Sequence, residues 1–180
     1  MKTKISILTF LFFSITLSSF GQIDCNFSNV QKLEKDYLKS KKKTIKKYHG
    51  KGNLAYSIAD CYRMNNDTTY LIWYYNAVVS LKKDYSKEKD KSKKPLLLLR
   101  IAFSYYYISD FKQAEIYFRK AIKSKIDNPL AFYYLCLSLV KQQKWKEAYD
   151  ELSVYKTQCF VCDDTDELMK KCLSEMEKQK

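Results

Sequence analysis

Apolar residues recur along the second half of the chain at the three-and-four spacing of a helix face. Leu98, Ile101, Ala102 and Tyr105 make one stripe, and after the polar break at Ser109-Asp110 a second begins with Phe111, Ala114, Phe118, Ala121 and Ile122. Two such stripes across a short turn predict an antiparallel pair of helices. The pattern then returns, displaced by 34 residues: Phe132, Leu135, Cys136, Leu139, Trp145, Ala148 and Leu152 stand where Leu98, Ile101, Ala102, Tyr105, Phe111, Ala114 and Phe118 stood. Side-chain size repeats with position. Ala102 and Ala114, then Cys136 and Ala148, are small where paired helices would cross, and Phe111, Phe118 and Trp145 are large beside the crossing.

An earlier copy is legible upstream. Ala55, Ile58, Ala59 and Tyr62 reproduce the first stripe, Asn65-Asn66-Asp67 supplies a turn, and Leu71-x3-Tyr75 is expected to face the core, with Leu71 following Ala59 as Ala114 follows Ala102. The step from Ala59 to Ala102 is 43 residues, so about nine residues are inserted between these copies; the charged run from Asp84 to Ser92 supplies them, as a helix extension or a solvated loop. Pro95 and Pro129 each open a helix. Before the copies, Ser28-x-x-Gln31 reads as a capping box for a helix reaching Tyr48, ended by Gly50 and Gly52, with Val30, Leu33, Tyr37, Ile45 and Tyr48 inward. After them, Leu168, Met169, Cys172, Leu173 and Met176 give a last helix one apolar face. With few Gly or Pro to break helices, the expectation is an all-α chain.

The residues just named resemble the tetratricopeptide repeat (TPR) family, whose unit is a helix–turn–helix of 34 residues. Leu98-x2-Ile101-Ala102-x2-Tyr105 with Ala114-x3-Phe118 follows the family pattern, and Phe132-x2-Leu135-Cys136-x2-Leu139 with Ala148-x3-Leu152 follows it less closely. The departures are Ser109 and Gln143 in turns where the family often has Gly, and Tyr155 in the place of Ala121. The resemblance implies a short TPR-like helical solenoid: three helix–turn–helix repeats, about 53–82, 95–128 and 129–157, between N- and C-terminal capping helices. It also implies a concave groove lined by the first helix of each repeat. Mapped position by position, that groove holds Tyr56, Asp60, Arg63 and Met64, then Leu99, Arg100, Phe103, Tyr106 and Tyr107, then Tyr133, Tyr134, Leu137 and Lys141. Aromatic rings with interspersed Arg are what protein-binding hot spots favour, so the partner implied is a peptide or protein segment. The bland alternative is that these rings are core, or lie beneath a terminal helix.

Residues 1–21 change the picture of where the chain acts. A basic start, Lys2 and Lys4, precedes the apolar run Ile5 to Phe20, and Ser19-Phe20-Gly21 offers small residues for cleavage before Gln22. This reads as a signal peptide, the alternative being an uncleaved anchor, and it places residues 22–52 as the N-terminal cap and 53–180 as the repeats with their final helix. Export, periplasmic or secreted, follows. Without the leader the formal charge falls from +13 to +11, with lysines clustered between Lys39 and Lys51 and between Lys82 and Lys94. Nucleic acid is not expected: the clusters hold almost no Arg, the better phosphate reader, and an exported chain seldom meets it. A membrane surface is allowed but not favoured over a solvated lysine face.

Six cysteines in an exported chain argue for disulfides. Cys25 with Cys61 would tie the N-terminal segment to the first repeat, Cys159 or Cys162 could staple the last loop to Cys172, and Cys136 at a small core position would stay free. Cys159-x-x-Cys162 before a helix also has thioredoxin-like spacing, which makes a thiol–disulfide enzyme one alternative; Asp163 and Asp164 would oppose the thiolate. A structural subunit of an envelope complex is the other. No zinc, haem or other cofactor is expected, since His49 is the sole histidine, and no catalytic set or phosphate loop is present.

Overall fold

The computed structural model describes residues 25–126, 128–158 and 163–179. The expected signal peptide, and Cys159 and Cys162, lie outside them. Among the described residues the chain is all-helical: α1 (Phe27–Leu38), α2 (Lys42–Lys47), α3 (Lys51–Met64), α4 (Tyr70–Lys87), α5 (Lys94–Tyr107), α6 (Phe111–Lys123), α7 (Pro129–Lys141), α8 (Trp145–Gln158) and α9 (Asp163–Lys178). From α3 onward each helix packs on the next, and α3, α5 and α7 also touch in succession.

The recurring stripes are the core. Ile58, Ile101 and Leu135 are buried at matching places, as are Ala59, Ala102 and Cys136 one residue on. Pro95 and Pro129 sit in the first turns of α5 and α7. Three turns close in one geometry: the N–H groups of Asp67, Asp110 and Lys144 donate to the carbonyls of Tyr62, Tyr105 and Leu139. The residue before each, Asn66, Ser109 or Gln143, has φ of 56°, 63° or 60°. This is a Schellman ending, in which the chain leaves the helix through a left-handed residue.

Four expectations need correction. The N-terminal helix is two helices: α1 is capped by Asn26, whose side chain accepts from the Asn29 N–H, while Ser28 lies inside the helix and donates to Asn26. The break after Leu38 is held by Asp36, which pairs with Lys41 at 2.7 Å and accepts from Thr44 at 2.6 Å. Gly50 marks the turn into α3, but Gly52 lies within α3 and stops nothing. In α4, Leu71 and Tyr75 are 42% and 62% exposed, whereas Tyr74 and Ala77 are buried. Tyr70, Tyr74 and Ala77 hold the spacing that Ala114, Phe118 and Ala121 hold in α6, so the earlier copy is shifted by one residue. In the last helix, Thr165 and Cys172 are buried and Leu173 is turned out.

Asp84, the first residue of the inserted charged run, belongs to α4. Its carboxylate accepts the Gly52 N–H at 2.8 Å, so α4 caps the start of α3. The N-terminal helix docks on the same pair: Glu34 accepts from Tyr62 Oη and Trp73 Nε1, both at 2.8 Å, and Tyr37 meets Trp73 edge-on. Cys25 and Cys61 form a disulfide that fixes the chain just ahead of α1 to α3. No helix among the described residues is long and apolar enough to cross a membrane.

Candidate functional site

The side chains expected to line a groove fall into two layers. Tyr56, Leu99, Arg100 and Phe103 are buried. Arg63, Tyr106, Tyr107, Tyr133, Tyr134 and Leu137 are partly exposed, and Met64 and Lys141 are exposed. The first set is a floor, and a partner could touch only the second.

A charged and phenolic network organises the floor at the α3–α5 end. Tyr74 Oη donates to Asp60 Oδ1 at 2.5 Å and accepts from Arg63 Nε at 3.0 Å, while Arg63 also lies 3.6 Å from Asp60. The Arg63 guanidinium sits 4.7 Å over the Tyr107 ring, and Tyr107 stacks on Tyr74 at 4.8 Å. Arg100 donates to Asn53 Oδ1 at 2.6 Å and rests 5.4 Å over the Tyr56 ring. Burial lifts the Asp60 carboxyl above its ordinary range, more than the Tyr74 hydrogen bond and the two guanidiniums lower it. Burial likewise raises Tyr56, Tyr74 and Tyr107, keeping these phenols protonated. A guanidinium over a ring face adds about 0.5–2 kcal/mol according to its desolvation.

Toward α7 the network becomes wholly aromatic. Tyr134 takes Phe103 and Tyr106 edge-on, each at 4.9 Å, and its hydroxyl lies 3.4 Å from that of Tyr107. Phe103 also packs edge-on against Phe118 of α6. Tyr133 flanks Tyr134 at 5.9 Å and Tyr155 at 6.3 Å. Tyr106 titrates only at about 12, because burial disfavours its phenolate. The sequence mapping thus brought together the residues of α3, α5 and α7. It missed Asn53 and Tyr74, and Tyr74 was hidden by the one-residue shift in α4.

Chemically this surface is a set of fixed hydroxyls and ring faces with one partly exposed guanidinium. It holds no nucleophile–base pair. Among the described residues no cluster of three or more His, Cys, Asp or Glu could hold a metal. Cys136 and Cys172 carry free thiols and are both buried. Burial pushes the Cys136 thiol up to about 12 and raises that of Cys172, the opposite of an activated nucleophile. Compared with known proteins, the chain matches no family model, no curated protein and no solved structure.

Proposed function

We propose that this is an exported, non-catalytic interaction module of TPR-like architecture, which binds a peptide or protein segment along the face formed by α3, α5 and α7. The observation that carries the reading is the layering itself. Tyr106, Tyr107, Tyr133 and Tyr134 remain partly exposed over a floor that is fixed by Asp60, Arg63, Tyr74 and Arg100. Rings held in place by packing lose little freedom when a partner arrives, which favours affinity. Tyrosine combines a flat apolar face with a polar tip, suited to an extended segment whose backbone needs hydrogen-bond partners. The serial packing of α3 to α8 and the three equivalent turns support a repeat array. The Cys25–Cys61 disulfide fits an oxidising compartment outside the cytosol.

The test is selection of peptides from a displayed library against the chain from Gln22 onward, followed by titration with purified variants. Tyr133→Ala and Leu137→Ser, both at partly exposed positions, are expected to weaken selected peptides by about tenfold or more while helicity and melting are kept. Phe103→Ala is unsuitable, because its buried ring supports Phe118 and Tyr134. Peptides that bind with unchanged affinity to both variants would sink the reading.

A further inference from the structure

The side of α4 that the shifted register leaves in solvent has an unusual composition. Its exposed apolar residues are Leu71, Ile72, Tyr75 and Val79, and its exposed polar residues are Lys82, Lys83, Ser86 and Lys87. Helical spacing puts Leu71, Tyr75, Val79, Lys82 and Ser86 along one side, the apolar part covering about 12 Å of helix. On α6 the exposed residues are Lys112, Ile116, Lys120 and Lys123. Neither helix exposes a carboxylate. Asp84 is turned onto the Gly52 N–H, and Glu115 is buried among its own partners. Of the flanking acids, Asp67 and Asp110 sit at the N-terminal ends of the two helices, while Glu88 and Asp90 follow α4, where Glu88 accepts the Asp90 N–H and Asp90 pairs with Lys93.

A cleft of about 210 Å3 joins the helices, lined by Lys82 and Tyr85 of α4, Leu98 and Ile101 of α5, and Tyr117 and Lys120 of α6. Lys94 lies 5.2 Å over the Tyr85 ring and Lys120 lies 4.9 Å over the Tyr117 ring. None of Lys82, Lys94 and Lys120 lies within ion-pair distance of a carboxylate among the described residues. The arrangement is an apolar floor, phenolic walls and a rim of uncompensated ammonium groups, continuous with an exposed aliphatic stripe.

We propose that the exposed face of α4 and α6 docks on an anionic phospholipid surface, with Leu71, Ile72, Tyr75 and Val79 at the lipid boundary and Lys82 and Lys120 holding a headgroup phosphate over the cleft. Charge complementarity selects this occupant. Lysine ammonium groups respond to a diffuse anionic field, whereas a partner protein's carboxylates would favour the forked guanidinium of Arg. The one arginine of α6, Arg119, is engaged by Glu115, Glu147 and Glu151. Aliphatic and Tyr side chains beside lysines are the composition of elements that lie in a membrane interface.

The experiment is co-sedimentation of the chain from Gln22 onward, which contains every described helix, with extruded vesicles of phosphatidylcholine alone or with one third phosphatidylglycerol. The expected result is pelleting with the anionic vesicles only, declining as salt is raised. Lys82→Gln with Lys120→Gln is expected to lower partitioning about tenfold to thirtyfold, near fivefold per lysine. Ile72→Ser with Val79→Ser, at exposed positions that leave the core untouched, lowers it at least about fivefold, with circular dichroism confirming the fold. Equal pelleting with neutral vesicles, no pelleting with anionic ones, or indifference to both variant pairs overturns the proposal. So does a stable dimer in solution that Ile72→Ser with Val79→Ser dissolves, since the stripe would then join two copies. Tyr133→Ala leaves vesicle binding unchanged, which separates this face from the peptide-binding one.

Discussion

Gly52 shows how much one residue can fix. A methyl group built on its α-carbon would stand 2.5 Å from the backbone nitrogen of Leu81 and 2.6 Å from its α-carbon. Backbone cannot swing aside as a long side chain can, so the crossing of α3 and α4 requires glycine here. Gly52→Ala is expected to destabilise the fold by about 1–3 kcal/mol, read from the urea midpoint. An unchanged midpoint would mean that the two helices slide apart freely. The sequence marks Gly52 only as a breaker, because local pattern carries no information about a partner 29 residues away at Leu81. Ser109 and Gln143 invert the case. They are not glycines, yet they adopt the left-handed conformation expected of Gly at a helix end.

At the scale of elements, the N-terminal segment depends on a few named contacts. Val30, Glu34 and Tyr37 lie on one side of α1 and meet Tyr62 and Trp73, and the disulfide anchors the residue before them. Replacing Cys25 and Cys61 together by Ser is expected to cost about 2–4 kcal/mol, with loss of amide-exchange protection concentrated in α1. Uniform loss across α5 to α8 would contradict that picture. The helices themselves were legible from periodicity: α5, α6, α7 and α8 begin and end close to where the stripes and prolines place them. The face of α4 was not. It carries Leu71, Ile72, Trp73, Tyr74 and Tyr75 in unbroken succession, so apolar periodicity cannot say which side is inside.

For the molecule as a whole, Glu115 and Arg119 connect the last two pairs. Glu115 accepts from Lys144 at 2.8 Å, Gln142 at 2.9 Å and Arg119 at 3.2 Å, and Arg119 reaches Glu151 at 2.6 Å and Glu147 at 3.2 Å. Burial by itself would raise the Glu115 carboxyl, but the donated hydrogen bonds from Lys144, Gln142 and Arg119 outweigh it and hold it below its ordinary range. A carboxyl depressed in the folded state stabilises above its unfolded pKa, near 4.3, and loses that contribution as pH falls through the folded value. Glu115→Gln should therefore be less stable than the parent at neutral pH, with the gap closing below about pH 4. Urea midpoints measured from pH 7 to pH 3 check this; a gap that is constant with pH would show that the charge on Glu115 contributes nothing.

Sequence alone determined the helical class, the doubled pattern from Leu98 to Leu152, the displaced earlier copy and the pairing of Cys25 with Cys61 as one candidate. The first three follow from period and spacing, local properties that the chain carries wherever it folds, and the pairing only from the even cysteine count of an exported chain. Tertiary structure decided what each side chain does. It set the register of α4, and so made Tyr74 a core network residue and Leu71 a surface one. It turned Tyr56, Arg100 and Phe103 from expected contacts into a floor beneath Tyr106, Tyr133 and Tyr134. It also brought Lys82 and Lys120 to one cleft. Whether a tyrosine is floor or surface, or a lysine is solvated alone or gathered with others, depends on which neighbours arrive from other helices, and no single stretch of sequence encodes that.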